Sequence, residues 1–499
     1  MRSVLEVLAR LLRGTSFCYL LTTHASKRKN PVPIAEETTS AKCLKDDHGS
    51  SCHTAGPDDS RSRIDGNTQV LEQAASNKSH HVDEASQVFS YTAGGELEAE
   101  ATAETTVATE PRGTLSATAD SALDSMSEQS ADAAKVKTFY DSFPTVVIGC
   151  WQLTERLKNN EKAVELLQEY YRNGFHHFDT ADIYGPSETL LGFARQAIRL
   201  ELLQNAKNTG NKTDLDFHVF TKYVPSGPQE SALRINQLSR KALFQEDFRK
   251  KEQDNDYPLE LVQFHWWNFA DRGHIQGARD LMSLQAEGKI EHLAVTNFDT
   301  VHLRELIEKA QFPVRVNQVQ FSLLDRRPEN GVLQLAKKHQ FKLTCFGSVA
   351  GGWLSEKFLG MESDPMRSSR KFQESSTVSL RMYYSSLMSW CRGDWDLFQR
   401  LLRTLEKIAN ATQTKIAVVA TWWVLQKLET DGFGGAVIIG VRDAKHLDET
   451  KIIQSGGKQR DNTGKKIFLA ADHMEAIQQV LDQGTFPTGE DIWSRERGD

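Results

Sequence analysis

Eight short apolar runs, separated by stretches of helical period, predict an α/β fold: a (β/α)8 TIM barrel preceded by a long disordered N-terminal segment. Three observations carry this expectation. The runs "TVVIGCW", "HHFDTAD", "DFHVFTKY", "LELVQFHWW", "EHLAVTNF", "VRVNQVQFS", "FKLTCFGS" and "GAVIIGVR" follow one another in this order, and strands alternating with helices imply a parallel sheet. Eight is the strand number that closes such a sheet into a barrel. From about Thr38 to Lys135, apolar residues capable of forming a core are almost absent.

Residues 1–30 carry Arg2, Arg10, Arg13 and the Lys27-Arg28-Lys29 cluster against the single acid Glu6. Leu5, Val7, Leu8, Leu11 and Leu12 suit an amphipathic helix, and the composition is that of an organelle transit peptide for a mitochondrion or plastid. A cytoplasmic protein with an incidental N-terminal helix is the alternative. Residues 31–135 are rich in Ser, Thr, Ala, Glu, Asp and Gly. They bury too little apolar surface to offset their ordering entropy and read as disordered. The barrel is expected over 136–488, with a short tail over 489–499.

Within the barrel region, "EKAVELLQEYYRNG" places Ala163, Leu167, Tyr170 and Tyr171 on one helical face, and Gly174 is a natural stop. "RDLMSLQAEGK" and "VHLRELIEKAQ" repeat the arrangement. The Gly-rich dinucleotide loop GxGxxG after an early strand is absent, which excludes a Rossmann site for any nicotinamide cofactor.

Bulk properties exclude other classes. A net charge of −7 argues against electrostatic affinity for nucleic acid or anionic membranes. No apolar run approaches the roughly 18 residues of a membrane span. The six cysteines form no CxxC pair, and Cys43 and Cys52, with His48 and His53 nearby, lie in an unpatterned region; free thiols and no metal site are expected. Oligomeric state is not legible.

In a barrel of this kind the C-terminal strand ends share one mouth. The second run ends at Asp179 with Tyr184 on the loop beyond, the third at Lys222 and the fourth at His265. Each has an ordinary reading alone: a turn Asp, a solvated Lys, a core His. Together they form a proton-transfer device. A free Tyr has a pKa of about 10. An adjacent ammonium favours its phenolate, and a carboxylate keeps that ammonium charged. His265 would share the proton or position a carbonyl oxygen.

"FDTADIYGPSE", "FTK", "QFHWW", "LAVTNFD", "VNQVQFS" and "IIGVR", in this order, resemble the aldo/keto reductase superfamily, in a branch seen in plants, fungi and algae. The resemblance covers about Val146 to His446. It implies an NADPH-dependent oxidoreductase that reduces an aldehyde or ketone, with Tyr184 as general acid. Lys222 and Asp179 would lower its pKa, and His265 would orient the substrate oxygen. It further implies that Thr296, Asn297 and Gln318 bind the carboxamide and that Phe346 stacks on the nicotinamide. Gly347, Ser348 and the rest of "GSVAGG" would offer N–H groups to the pyrophosphate. Gly440, Arg442, His446 and Glu449 would lie near the adenosine, with Arg442 pairing a 2′-phosphate and favouring NADPH over NADH. Trp151, Trp266 and Trp267 would line the pocket for a small-molecule carbonyl substrate, and Trp493 would close it.

The chain departs from the family's usual "SPL" at Gly347-Ser348-Val349, from "IPG" at Ile438-Ile439-Gly440, and from an adenine-binding Asn at Thr450. The stretch Met361–Arg392 reads as a lid or a surface loop. A rival to the enzyme reading is a cofactor-binding regulatory subunit with slow or no turnover, as in channel beta subunits that resemble the same family. His265 speaks against it.

Overall fold

Every one of the eight apolar runs forms a strand: β1 (Val146–Gly149), β2 (His177–Asp179), β3 (His218–Tyr223), β4 (Leu259–His265), β5 (Ile290–Thr296), β6 (Val316–Gln320), β7 (Lys342–Phe346) and β8 (Gly435–Gly440). They pair in sequence order, all parallel, and β8 returns to β1 to close the barrel. This computed structural model describes residues 133–153, 159–211, 214–225, 227, 230–250, 257–270, 272–440 and 444–487, the side chains of 246–250 excepted. Of the chain's two units, the one spanning 16–119 lies wholly outside these residues. The targeting and disordered segments up to 132, Arg442, Trp493 and the tail 489–499 lie outside them too.

The intervening helices form for local reasons. In Asn160–Arg172, the Asn159 side chain caps the start by accepting from the backbone N–H groups of Glu161 and Lys162 at 2.8 and 3.2 Å. Ala163, Leu167 and Tyr170 are buried, while Tyr171 is half-buried. The chain leaves through Gly174, at φ +85°, a conformation that favours glycine. Helix Ser187–Thr209 packs so closely on helix Ala232–Lys250 that a Cβ at Gly192 would lie 2.2 Å from the Ala242 carbonyl oxygen.

Period-two alternation divides the barrel interior into layers. Its waist is apolar: Val147, Phe220, Leu261, Ala294, Val316 and Ala436 form one buried cluster. The cluster is sealed at the N-terminal end by a helix over 133–141, whose Phe139 and Tyr140, with Phe143 just beyond, pack beneath it. Phe143 stacks on Phe220 and Phe139 lies 4.3 Å from the His292 ring. That helix begins inside the stretch read as low-complexity, because its two aromatic rings, with Phe143 just beyond, have a barrel floor to cover.

The stretch Met361–Arg392 is helical and packed. It contains helices Pro365–Ser368, Arg370–Ser375 and Val378–Cys391, and the last buries Leu380, Tyr383, Leu387 and Trp390. Trp353 Nε1 donates to the Leu380 carbonyl at 2.8 Å, and Ser379 Oγ donates to Gln152 Oε1 at 3.1 Å. The helix is thereby tied both to the turn after β7 and to the loop after β1.

Candidate active site

Parallel register sets the site. Lys222 pairs with Gln263, and His265 pairs with Thr296, which in turn pairs with Gln318. Asp179 enters one strand earlier, at the end of β2. Strand β3 continues one residue past Lys222, to Tyr223, whose ring packs outward against Phe264.

The centre of the site is a buried ion pair. Lys222 Nζ donates to Asp179 Oδ1 at 2.6 Å and to the Thr180 carbonyl at 2.8 Å. The other Asp179 oxygen accepts from Gln263 Nε2 at 2.8 Å and Gln318 Nε2 at 2.7 Å, so both carboxylate oxygens are satisfied. Lys222 Nζ also lies 4.9 Å from the centre of the Tyr184 ring. Burial works against the ammonium, but the Asp179 carboxylate and the Tyr184 phenol outweigh it and hold the Lys222 pKa above its ordinary value. Burial, aided by the Lys222 charge, pushes His265 down to about 3, so its imidazole is neutral at physiological pH. The site therefore holds a fixed cation beside a phenol and a neutral imidazole, in a setting largely closed to water.

Two further acids hold the Tyr184 loop against β3. Glu188 accepts from Thr221 Oγ1 at 2.6 Å, and Asp182 Oδ2 accepts from the Val224 N–H at 3.1 Å. Burial pushes Glu188 up to about 7 and Asp182 up to about 6. Neither they nor Gln263 stand out in the sequence. Gln263 precedes His265 by two positions and shares its inward face, the one signal that would have found it.

At the neighbouring strand ends, the Thr296 hydroxyl is buried without a hydrogen-bond partner among the described residues. Asn297 turns the chain at φ +59° while its N–H donates to the Gln318 carbonyl at 2.8 Å. The Gln318 side-chain amide is already engaged by Asp179 and by Gln263 Oε1 at 2.7 Å. Phe346 ends β7 half-buried. Gly347 follows at φ +72°, and the buried Ser348 hydroxyl lies 3.3 Å from that of Thr421. Gly440 is exposed at the end of β8. The Glu449 carboxylate is shared between Lys415 and the exposed His446. Thr450 is buried and donates to the His446 carbonyl at 2.8 Å. An orphaned hydroxyl at the end of β5 and, two strands on, an aromatic ring and a glycine turn at the end of β7 fit an extended dinucleotide.

The three tryptophans divide. Trp151 and Trp267 stand at the rim, 45% and 40% exposed, and Trp267 stacks on His265 with ring centres 5.1 Å apart. Trp266, expected in the pocket, faces the other way. Strand alternation sends it outward to pack near Phe264 and His274, with Nε1 donating to the Asn268 carbonyl. Among the described residues, no cluster of three or more His, Cys, Asp or Glu could hold a metal ion, and no helix is long and apolar enough to cross a membrane.

The aldo/keto reductase family model matches residues 145–453. An uncharacterized oxidoreductase of Bacillus subtilis is 30% identical over 227 residues, 44% of this chain and 66% of the relative, just under two thirds of its length. An aldo-keto reductase [NADP(+)] of Schizosaccharomyces pombe is 23% identical over 68% of this chain and 91% of its own. Among solved structures, an aldo/keto reductase from Klebsiella pneumoniae in complex with NADP and acetate is 18% identical, with a TM-score of 0.46 over 70% of this chain and 94% of that one. The chain belongs to the aldo/keto reductase family.

Proposed function

We propose that this chain is an NADPH-dependent carbonyl reductase that converts an aldehyde or ketone to an alcohol. The observation that carries this reading is the buried Asp179–Lys222 pair beneath Tyr184, with a neutral His265 alongside. When bound, the reduced nicotinamide supplies a hydride to the carbonyl carbon. Tyr184 gives its proton to the carbonyl oxygen, and the Lys222 ammonium stabilises the phenolate left behind. Asp179 keeps that ammonium charged, and the neutral His265 donates a hydrogen bond that orients the oxygen. Thr296, Asn297, Phe346 and the turn from Gly347 would hold the cofactor. Gln318 would reach it only through its amide oxygen, because its nitrogen is committed to Asp179 and Gln263.

The preference for NADPH rests on the family resemblance and on the NADP(+) designation of the fission-yeast relative. Exposed Trp151 and Trp267 suit an apolar or aromatic carbonyl. Titrating the full chain with NADPH and then NADH while following tryptophan fluorescence tests the cofactor. Assaying generic aldehydes and diketones tests turnover. Tight NADPH binding with saturable reduction supports the reading, binding without turnover favours a regulatory subunit, and no binding of either nucleotide sinks hydride transfer altogether. The organelle-targeting reading of residues 1–30 is separately tested by fusing them to a fluorescent protein. Diffuse cytoplasmic signal would overturn it.

A further inference from the structure

The inserted helix Val378–Cys391 and the turn after β7 are built as one piece. A Cβ placed on Gly347 would lie 2.6 Å from both the Tyr383 hydroxyl oxygen and its Cε1. One on Gly351 would lie 2.6 Å from the Ser379 carbonyl oxygen and 2.8 Å from Tyr383 Cδ2. Both glycines have positive φ, +72° and +66°, so side chains are excluded there twice over, by conformation and by the tyrosine ring. The departure from the family's usual serine at 347 thus has a physical cause: the volume its side chain would fill belongs to Tyr383.

That exchange moves a hydroxyl rather than removing it. Tyr383 is only 6% exposed, and its phenol oxygen stands beside the residue that follows Phe346 at the barrel mouth. On the same turn, the N–H groups of Ser348 and Val349 make no backbone hydrogen bond among the described residues, whereas those of Ala350 and Gly352 donate back to Gly347 and Val349. One hydroxyl and two amide donors therefore share a single glycine turn at the strand end.

Resting on the dinucleotide reading above, we propose that Tyr383 is a cofactor-binding residue. Its hydroxyl, carried in by the inserted helix, acts with the Ser348 and Val349 N–H groups to hold the diphosphate of a nicotinamide dinucleotide. The substitution Tyr383→Phe removes this hydrogen bond to a charged oxygen while keeping the ring against Gly347 and Gly351. In the full chain, followed by tryptophan fluorescence, Y383F is expected to bind NADPH at least about tenfold more weakly. It should bind 2′-phospho-ADP-ribose, which keeps the diphosphate and lacks the nicotinamide, more weakly by a similar factor, while retaining a cooperative melting transition. A dissociation constant within twofold of the unsubstituted chain overturns the proposal. So does weakening confined to NADPH, which would assign the hydroxyl to the nicotinamide side. Failure of the unsubstituted chain to bind any of these nucleotides is a different result, and refutes the dinucleotide reading itself.

Discussion

The two ends of the barrel are both polar, yet they handle charge in opposite ways. At the mouth, Asp179 and Lys222 are almost fully buried and every oxygen of the carboxylate is bonded. At the floor, His218 bridges Asp216 and Glu260 at 2.6 and 2.5 Å with about a third of its side chain in solvent. There His177 and His218 stack with ring centres 4.5 Å apart but diverge electrostatically. Burial, with the charge of His218, pushes His177 down to about 3. Against the cost of its own burial, Glu260 and Asp216 push His218 up to about 9. The apolar waist separates these layers. The same residue chemistry thus serves two ends: a dry pair whose charges are fixed for a reaction, and a wetter set that tunes stability with pH.

The sharpest test of this contrast is Tyr184→Phe. Loss of the proposed proton donor should lower kcat for carbonyl reduction by about 10²–10⁴-fold, with melting temperature and cofactor affinity unchanged. A tenfold or smaller loss would break the assignment. Next in size, Asp179→Ala leaves a buried ammonium uncompensated and should cost about 3–5 kcal/mol in urea unfolding. A loss below about 1 kcal/mol would mean that the pair is not the electrostatic centre of the mouth.

The Glu188 latch gives a pH-dependent prediction. Its folded pKa of about 7 lies above the ordinary 4.5. Its contribution to stability is complete below about pH 4.5 and is lost as pH rises through 7. Glu188→Gln should therefore gain about 3 kcal/mol on the unsubstituted chain between those limits, measured by denaturation at each pH. A constant gap would refute the burial account. The smallest effect belongs to the floor. Stability from His218 is full below about pH 6.5 and lost as pH rises through about 9. His218→Gln should flatten that slope by on the order of 1 kcal/mol after allowing for solvent screening, leaving kcat unchanged. A fall in kcat would join the two ends that the waist is said to separate.

What the sequence discloses follows from how each feature is encoded. The strands are visible because each is a short apolar run between turn residues, and Asp179, Lys222 and His265 stand at or beside their ends. Trp266 misleads because adjacency in "HWW" says nothing about sides: His265 ends its strand facing inward, and Trp266, the next residue, turns to the opposite side. Gln263 is hidden by being uncharged, although alternation places it under His265. Tyr383 is hidden differently. Its role comes from a contact with Gly347 across 36 positions of chain, and no local pattern records such a pairing. The helix over 133–141 is obscured by the Ser-, Ala- and Asp-rich composition leading into it.

That floor helix bears on where the molecule begins as a physical object. The family match starts at residue 145, but Phe139, Tyr140 and Phe143 pack against the interior waist. A protein expressed from residue 145 would be an uncorked tube, with Phe220 and the other waist residues open to water from below, prone to aggregate however intact its catalytic rim. The smallest self-sufficient piece is longer than the family-matched one, and its stopper lies just upstream of that match.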